Sequence, residues 1–181
     1  MWLEEIEWVI KKLNSQLNSN FKTCLDIGSE SLEYRMKYQP WNQKFYDYLI
    51  SKNIEIKRMD ANKSVKPDYV QDITKPIKNI GKFDIVLATH LLEHIPILEL
   101  KNTVNNIENL INKNGILIVS VPNCYPYHAF PIDNGWRPIP KELIKIFNGK
   151  LIATKIIETE HKLNKYKDQP KSKSSCALLK Y

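Results

Sequence analysis

The sequence predicts an α/β domain built on a doubly wound, mostly parallel seven-stranded sheet, with an antiparallel last strand and helices on both faces. Three observations carry that reading. Segments of strand length alternate with segments of helical spacing through most of the chain, a pattern that right-handed crossovers resolve into few topologies other than a parallel sheet. Phe83 to Thr89 is almost continuously apolar, as strands buried on both faces are. The final two strand segments have no helix between them, so they read as a hairpin whose last strand runs antiparallel.

In chain order, Trp2 to Leu17 sets Leu3, Ile6, Val9, Ile10, Leu13 and Leu17 at three- and four-residue spacing. That is the mark of an amphipathic helix, and segment 1–20 is read as this helix and its exit. Lys22 to Ile27 is a short buried strand that turns at Gly28 and carries Asp26 near its carboxyl end. Trp41, Phe45, Tyr48 and Leu49 restore helical spacing up to Ser51. The alternating run Ile54 to Met59 then meets Asp60, Tyr69 to Gln71 meets Asp72, and Phe83 to Thr89 meets His90.

Leu98 to Ile111 has a broad apolar face and reads as the next helix, with Asn114-Gly115 expected to stop it. Ile116 to Val121 is a buried strand. A proline- and aromatic-rich connector, 122–140, leads to a short helix from Lys141 to Phe147 that Asn148-Gly149 closes. Leu151 to Ile157 and Cys176 to Leu179 end the chain as strands, joined by a Lys-rich hairpin loop, 161–175.

With 181 residues, 43% hydrophobic and 26% charged, the chain reads as one domain, 1–181, that buries a core without metal or disulfide staples. Cys24, Cys124 and Cys176 are odd in number and widely spaced, which points to a reducing, cytoplasmic setting. No apolar run reaches the roughly 18–20 residues of a membrane span, and Glu4-Glu5 stand where a signal peptide carries positive charge. From Lys141 onward ten Lys face four acids, which places +6 of the net +7 there. That basic face is either a solvated surface or a site for nucleic acid.

In an open parallel sheet, ligands bind beyond the carboxyl ends of the strands. Asp26, Gly28, Asp60, Asp72 and His90 all fall there. A carboxylate after the second strand accepts both ribose hydroxyls at once, and Asp60 fits that part. These residues resemble the class I S-adenosylmethionine-dependent methyltransferases, which share the Rossmann-like sheet. Leu25-Asp26-Ile27-Gly28 resembles the family's first motif and Asp60 its ribose-binding acid, with Asp72-Ile73 at the position that contacts adenine. The segment Phe83 to Ile95 resembles the fourth motif, and Asn114 to Asn123 the fifth strand. The resemblance implies S-adenosylmethionine as cofactor, no metal, and Asp26, Gly28, Ser29, Glu30, Asp60, Ala61, Asp72, Ile73 and His90 around it. The methyl acceptor is a small molecule or an exposed group on a macromolecule.

One departure stands out. The family's glycine loop usually continues D-x-G-x-G-x-G, whereas Gly28 is followed by Ser29-Glu30-Ser31-Leu32, and loss of glycines is expected to reshape that loop. This favours an alternative, a catalytically inactive binding or scaffold protein on the same fold. His90-Leu91-Leu92-Glu93-His94 also spells H-x-x-E-H, a zinc-hydrolase pattern, although Pro96 leaves no room for a long metal-bearing helix. Cys124, just past the fifth strand, is a further candidate as a nucleophile, yet a lone Cys is more often inert.

The connector from Tyr125 to Pro138 is too aromatic for an ordinary link and is read as a cover over the cleft. If the methyl goes to oxygen or nitrogen, His128 is the candidate base, since histidine suits proton transfer near neutral pH. Asp133 and Arg137 join it as candidate catalytic contacts. The competing reading makes the same stretch an ordered cover held by its prolines and an Asp133–Arg137 ion pair.

Overall fold

A computed structural model describes residues 1–128, 132–159 and 171–181. Residues 129–131 of the connector and 161–170 of the Lys-rich loop therefore lie outside the described residues. Strands β1 (Thr23–Ile27), β2 (Glu55–Asp60), β3 (Tyr69–Val70), β4 (Phe83–Thr89), β5 (Ile111–Cys124), β6 (Lys150–Glu158) and β7 (Lys173–Lys180) form one sheet in the order β3-β2-β1-β4-β5-β7-β6. β1 to β5 pair in parallel, whereas β7 is inserted antiparallel between β5 and β6.

Alternation along each strand separates two cores. On one face Leu25, Ile27, Val86, Ala88, Leu117 and Val119 meet α4 (Leu100–Asn109) and α5 (Pro140–Lys145) through Val104, Ile107 and Leu143. On the other, Cys24, Ile85, Leu87, Ile116 and Ile118 meet α1 (Leu3–Leu13) and α3 (Asn42–Ser51) through Ile6, Val9, Leu13, Phe45 and Leu49. Each of these large side chains contributes about 1.5–3 kcal/mol by leaving water. Asp84 interrupts the apolar run of β4 for a reason: its carboxylate accepts the Lys22 and Thr23 N–H groups, the Thr23 hydroxyl and the Asn112 amide. That ties the start of β1 to β4 and β5.

Three sequence expectations are corrected. The first helix stops at Leu13 rather than Leu17, although Leu17 still packs on the same core. The helix expected over 98–111 is shorter. Leu98 is 94% exposed, the regular helix begins at Leu100, and Asn114-Gly115 lies inside β5 rather than at a helix end. Ile111 already pairs with Phe83, and the left-handed Asn114 (φ 66°) gives its N–H to the Tyr181 carbonyl at 2.5 Å. Pairing with β4 and with Tyr181 thus claims a signal that reads locally as a helix stop. A further helix, α2 (Leu32–Tyr38), was not anticipated. It buries none of its residues and starts on Ser31, whose hydroxyl accepts the Tyr34 N–H at 3.1 Å.

Candidate functional site

The carboxyl ends of β1 to β4 open into a cleft of about 390 Å³. Its floor comes from Ile27 and Gly28 at the end of β1, Met59, Asp60 and Ala61 at the end of β2, and Gln71, Asp72 and Ile73 after β3. Thr74 and Lys75 continue that side, while Leu91, His94, Ile95, Pro96, Glu99 and Ile132 build the opposite wall. Five residues expected at a cofactor, Gly28, Asp60, Ala61, Asp72 and Ile73, are brought together here. Of the wall, Leu91, His94 and Ile95 belong to the segment that the fourth-motif resemblance puts beside the cofactor, whereas Pro96, Glu99 and Ile132 carry no motif that points to them.

Local geometry explains each placement. Gly28 takes φ +68°, gives its N–H to the Met59 carbonyl at 2.8 Å, and any Cβ on it would stand 2.9 Å from Leu91 Cδ1. Glycine takes this left-handed φ without strain and lets Leu91 close on the backbone. Asp60 accepts the Asn62 N–H on Oδ1 (2.9 Å) and the Glu30 N–H on Oδ2 (3.3 Å), which aims the carboxylate while leaving lone pairs for further donors. Asp72 caps its own turn by accepting the Thr74 N–H and hydroxyl. Asn106 of α4 holds that turn down through the Ile73 and Lys75 carbonyls.

In the glycine-poor loop one position keeps a left-handed backbone. Glu30, two residues after Gly28, stands at φ +56°. A side chain there keeps the left-handed turn that a glycine ordinarily supplies, at a cost of about 1–2 kcal/mol. Ser29 between them is fully buried.

Asp26 and His90 do not line the cleft. Strand alternation sends Asp26 to the face opposite Ile27, where it accepts from Arg35 (2.7 Å) and Tyr46 (2.5 Å). Burial works against the Arg35 charge, but the Asp26 carboxylate outweighs it and raises the guanidinium further. Burial and the same carboxylate push the Tyr46 phenol up. His90, left-handed at φ 50°, puts Nε2 2.9 Å from Glu5 of α1 and Nδ1 3.4 Å from Glu93. Burial alone would neutralise the imidazole, yet Glu5 overrides it and lifts His90 to about 9. Glu5 in turn is held down to about 2 against its own burial by His90 and Ser174.

The H-x-x-E-H string is a single 3-10 turn over Leu92–His94, not a helix. His94 has its Nδ1 against the Ile132 carbonyl at 2.7 Å, and no group of three or more His, Cys, Asp or Glu is arranged to hold a metal among the described residues. Burial pushes the Cys24 and Cys176 thiols up. Cys124 is half-buried as the last residue of β5, opposite Lys173.

In the connector, Asp133 and Arg137 form the anticipated ion pair, bidentate at 3.0 and 2.5 Å. The Arg137 hydrogen bonds and the Gly135 and His128 N–H groups hold the Asp133 carboxyl well below the usual carboxylate range. His128 Nε2 lies 3.7 Å from Asp133, and its ring stands 5.2 Å from His94 and 5.8 Å from Tyr125. At the basic end of the chain, Lys171 and Lys173 meet Glu158. No helix among the described residues is long and apolar enough to cross a membrane.

Comparison with known proteins adds to this geometry. A family model described as a methyltransferase domain matches residues 5–154. No curated protein matches the chain in sequence. Among solved structures, a SAM-dependent methyltransferase from Archaeoglobus fulgidus superposes with a TM-score of 0.60 at 16% identity, covering 99% of this chain and 94% of the other. The N-methyltransferase NodS from Bradyrhizobium japonicum, solved with S-adenosyl-L-homocysteine, gives 0.56 at 11% identity over 96% and 85%. Magnesium protoporphyrin IX methyltransferase from Synechocystis, with bound SAM, gives 0.56 at 16% identity over 98% and 79%. At such identities the likeness is one of fold.

Proposed function

The chain belongs to the methyltransferase-domain family, and from that premise we propose that it transfers the methyl group of S-adenosylmethionine to an acceptor. The observation that carries the reading is the cleft itself. Gly28, Asp60, Ala61, Asp72 and Ile73, far apart in the chain, converge on one 390 Å³ space at the carboxyl ends of the strands. The residues present fit the cofactor. Gly28 leaves a cradle that a Cβ would fill, Asp60 is oriented to accept the two ribose hydroxyls, and Ile73 with Leu91 offers apolar faces to a base beside Asp72.

When bound, the cofactor supplies an electrophilic methyl on a sulfonium. The protein has little covalent chemistry to add, because in-line positioning and exclusion of water account for much of such a rate. His128 is the side chain we assign to receive a proton from an oxygen or nitrogen acceptor. Asp133 and Arg137 act on it indirectly: their ion pair fixes the turn whose carboxylate faces the imidazole. The left-handed Glu30 supports this reading over an inactive scaffold, since that position takes a φ that suits glycine. The acceptor is a small molecule or an exposed macromolecular group, and a nucleic-acid acceptor would show binding that weakens steeply with salt.

Calorimetric titration with S-adenosylmethionine and with S-adenosylhomocysteine tests the proposal. Saturable binding of both is expected, and Asp60→Ala should weaken each by roughly tenfold or more, as loss of hydrogen bonds to a charged group does. Absence of binding by the folded protein would overturn it.

A further inference from the structure

Asn134, in the connector after β5, touches none of the cleft, yet it supports the wall that does. Its side-chain amide donates to the carbonyls of Leu92 (2.8 Å) and Ile95 (2.7 Å), and its own N–H donates to the Glu93 carbonyl at 2.8 Å. A 3-10 turn of three residues satisfies few of its own carbonyls, and this one is buried at Leu92, Glu93 and Ile95. Left unpaired, such carbonyls carry the full penalty of desolvation. Asn134 is the partner that removes it.

The donor is itself held rigidly. Its Oδ1 accepts the Trp136 N–H at 2.7 Å, and Trp136 packs on the main core. The preceding Asp133 is clamped by Arg137 and caps Gly135, which takes φ +73°. A rigid turn of the connector therefore grips the segment whose Leu91, His94, Ile95 and Pro96 form one wall of the cleft.

We propose that Asn134 is a positioning residue for the cofactor: it sets the Leu91–Pro96 wall against the β-strand ends and so makes cofactor affinity depend on the connector. The proposal rests on the cofactor reading above. It also requires this residue type. Asp has no amide donors and would set a carboxylate against two carbonyls, and Ala would take the side-chain donor from the Ile95 carbonyl and leave the Leu92 carbonyl only the long Ile95 N–H bond of 3.3 Å.

The test compares wild type, Asn134→Ala, the nearly isosteric Asn134→Asp, and Thr154→Ala as a control that removes a hydrogen bond to Cys176 at the far sheet edge. Amide hydrogen exchange without ligand should quicken at residues 94 and 95 in both Asn134 variants. Their S-adenosylhomocysteine dissociation constants should rise on the order of tenfold, as loss of two or three part-buried hydrogen bonds implies. Thr154→Ala should lose some stability and keep wild-type affinity. Should Asn134→Ala not fold, Asn134→Asp carries the comparison. Unchanged affinity in an Asn134 variant whose turn exchanges faster would overturn the positioning role alone. Failure of the wild type to bind S-adenosylhomocysteine would instead overturn the cofactor reading beneath it.

Discussion

The Glu5–His90 pair makes the protein's stability depend on pH in a direction fixed by its geometry. Glu5 reaches His90 at 2.9 Å across 85 positions of sequence, and its side chain is fully buried. A rise in His90 from the usual 6.5 to about 9 corresponds to at most about 3 kcal/mol at about 1.4 kcal/mol per pH unit. Because the folded-state value is the raised one, this contribution is complete below pH 6.5 and fades as pH climbs through 9. The depressed value of Glu5, about 2, is the same interaction seen from the other partner. It is complete above the ordinary glutamate range and is lost only as pH falls toward 2.

Urea unfolding followed by tryptophan fluorescence, at pH steps from 6 to 9.5, measures the alkaline side. The wild type should lose about 2–3 kcal/mol over that interval. Glu5→Gln should be less stable at pH 6 and should show a much flatter profile, converging with the wild type near pH 9.5. Parallel profiles would refute the reasoning, as would an NMR titration placing the His90 imidazole at or below 6.5.

Three further outcomes follow from the site. Gly28→Ala must hold φ +68° with its Cβ 2.9 Å from Leu91, so thermal unfolding should show a loss of about 1–2 kcal/mol and calorimetry weaker S-adenosylhomocysteine binding. Glu30→Gly relieves the left-handed side chain and should stabilise the fold by about 1 kcal/mol, or roughly 2–4 °C in Tm; a drop in Tm would mean the Glu30 side chain is needed where it stands. Arg137→Ala leaves the buried Asp133 carboxylate only its Gly135 and His128 N–H donors and, among the described residues, no opposite charge at bonding distance and should cost about 3 kcal/mol, a loss that Asp133→Asn with Arg137→Ala should partly restore in a double-mutant cycle.

Much of the architecture was legible because it depends on local periodicity. The strands around Leu25, Met59, Val86, Leu117 and Leu178 are bounded by turn residues, and their alternation or apolar continuity does not depend on distant partners. The positions of Asp60 and Asp72 followed from the same logic, since a polar residue after a buried strand marks the carboxyl end where ligands gather. Asn114-Gly115 misled because a left-handed turn suits a helix end and a strand irregularity equally. The pairing of Ile111 with Phe83 and of Asn114 with Tyr181 decided between them. Helix α2 was silent because a helix that buries nothing has no apolar stripe to read.

The sequence by itself determined where each strand ends and which residue types stand there, because those are properties of neighbours along the chain. Only the tertiary structure decided which of them share a space. Asp26 and Ile27 are adjacent, but the two-residue period of a strand sends one into an ion pair with Arg35 and the other to the cleft. His90 follows β4 as expected, yet Glu5, delivered by packing of α1 on the sheet, draws it to the other face. Long-range partners of this kind carry no local periodicity, so charge pairing and packing across the fold settle them.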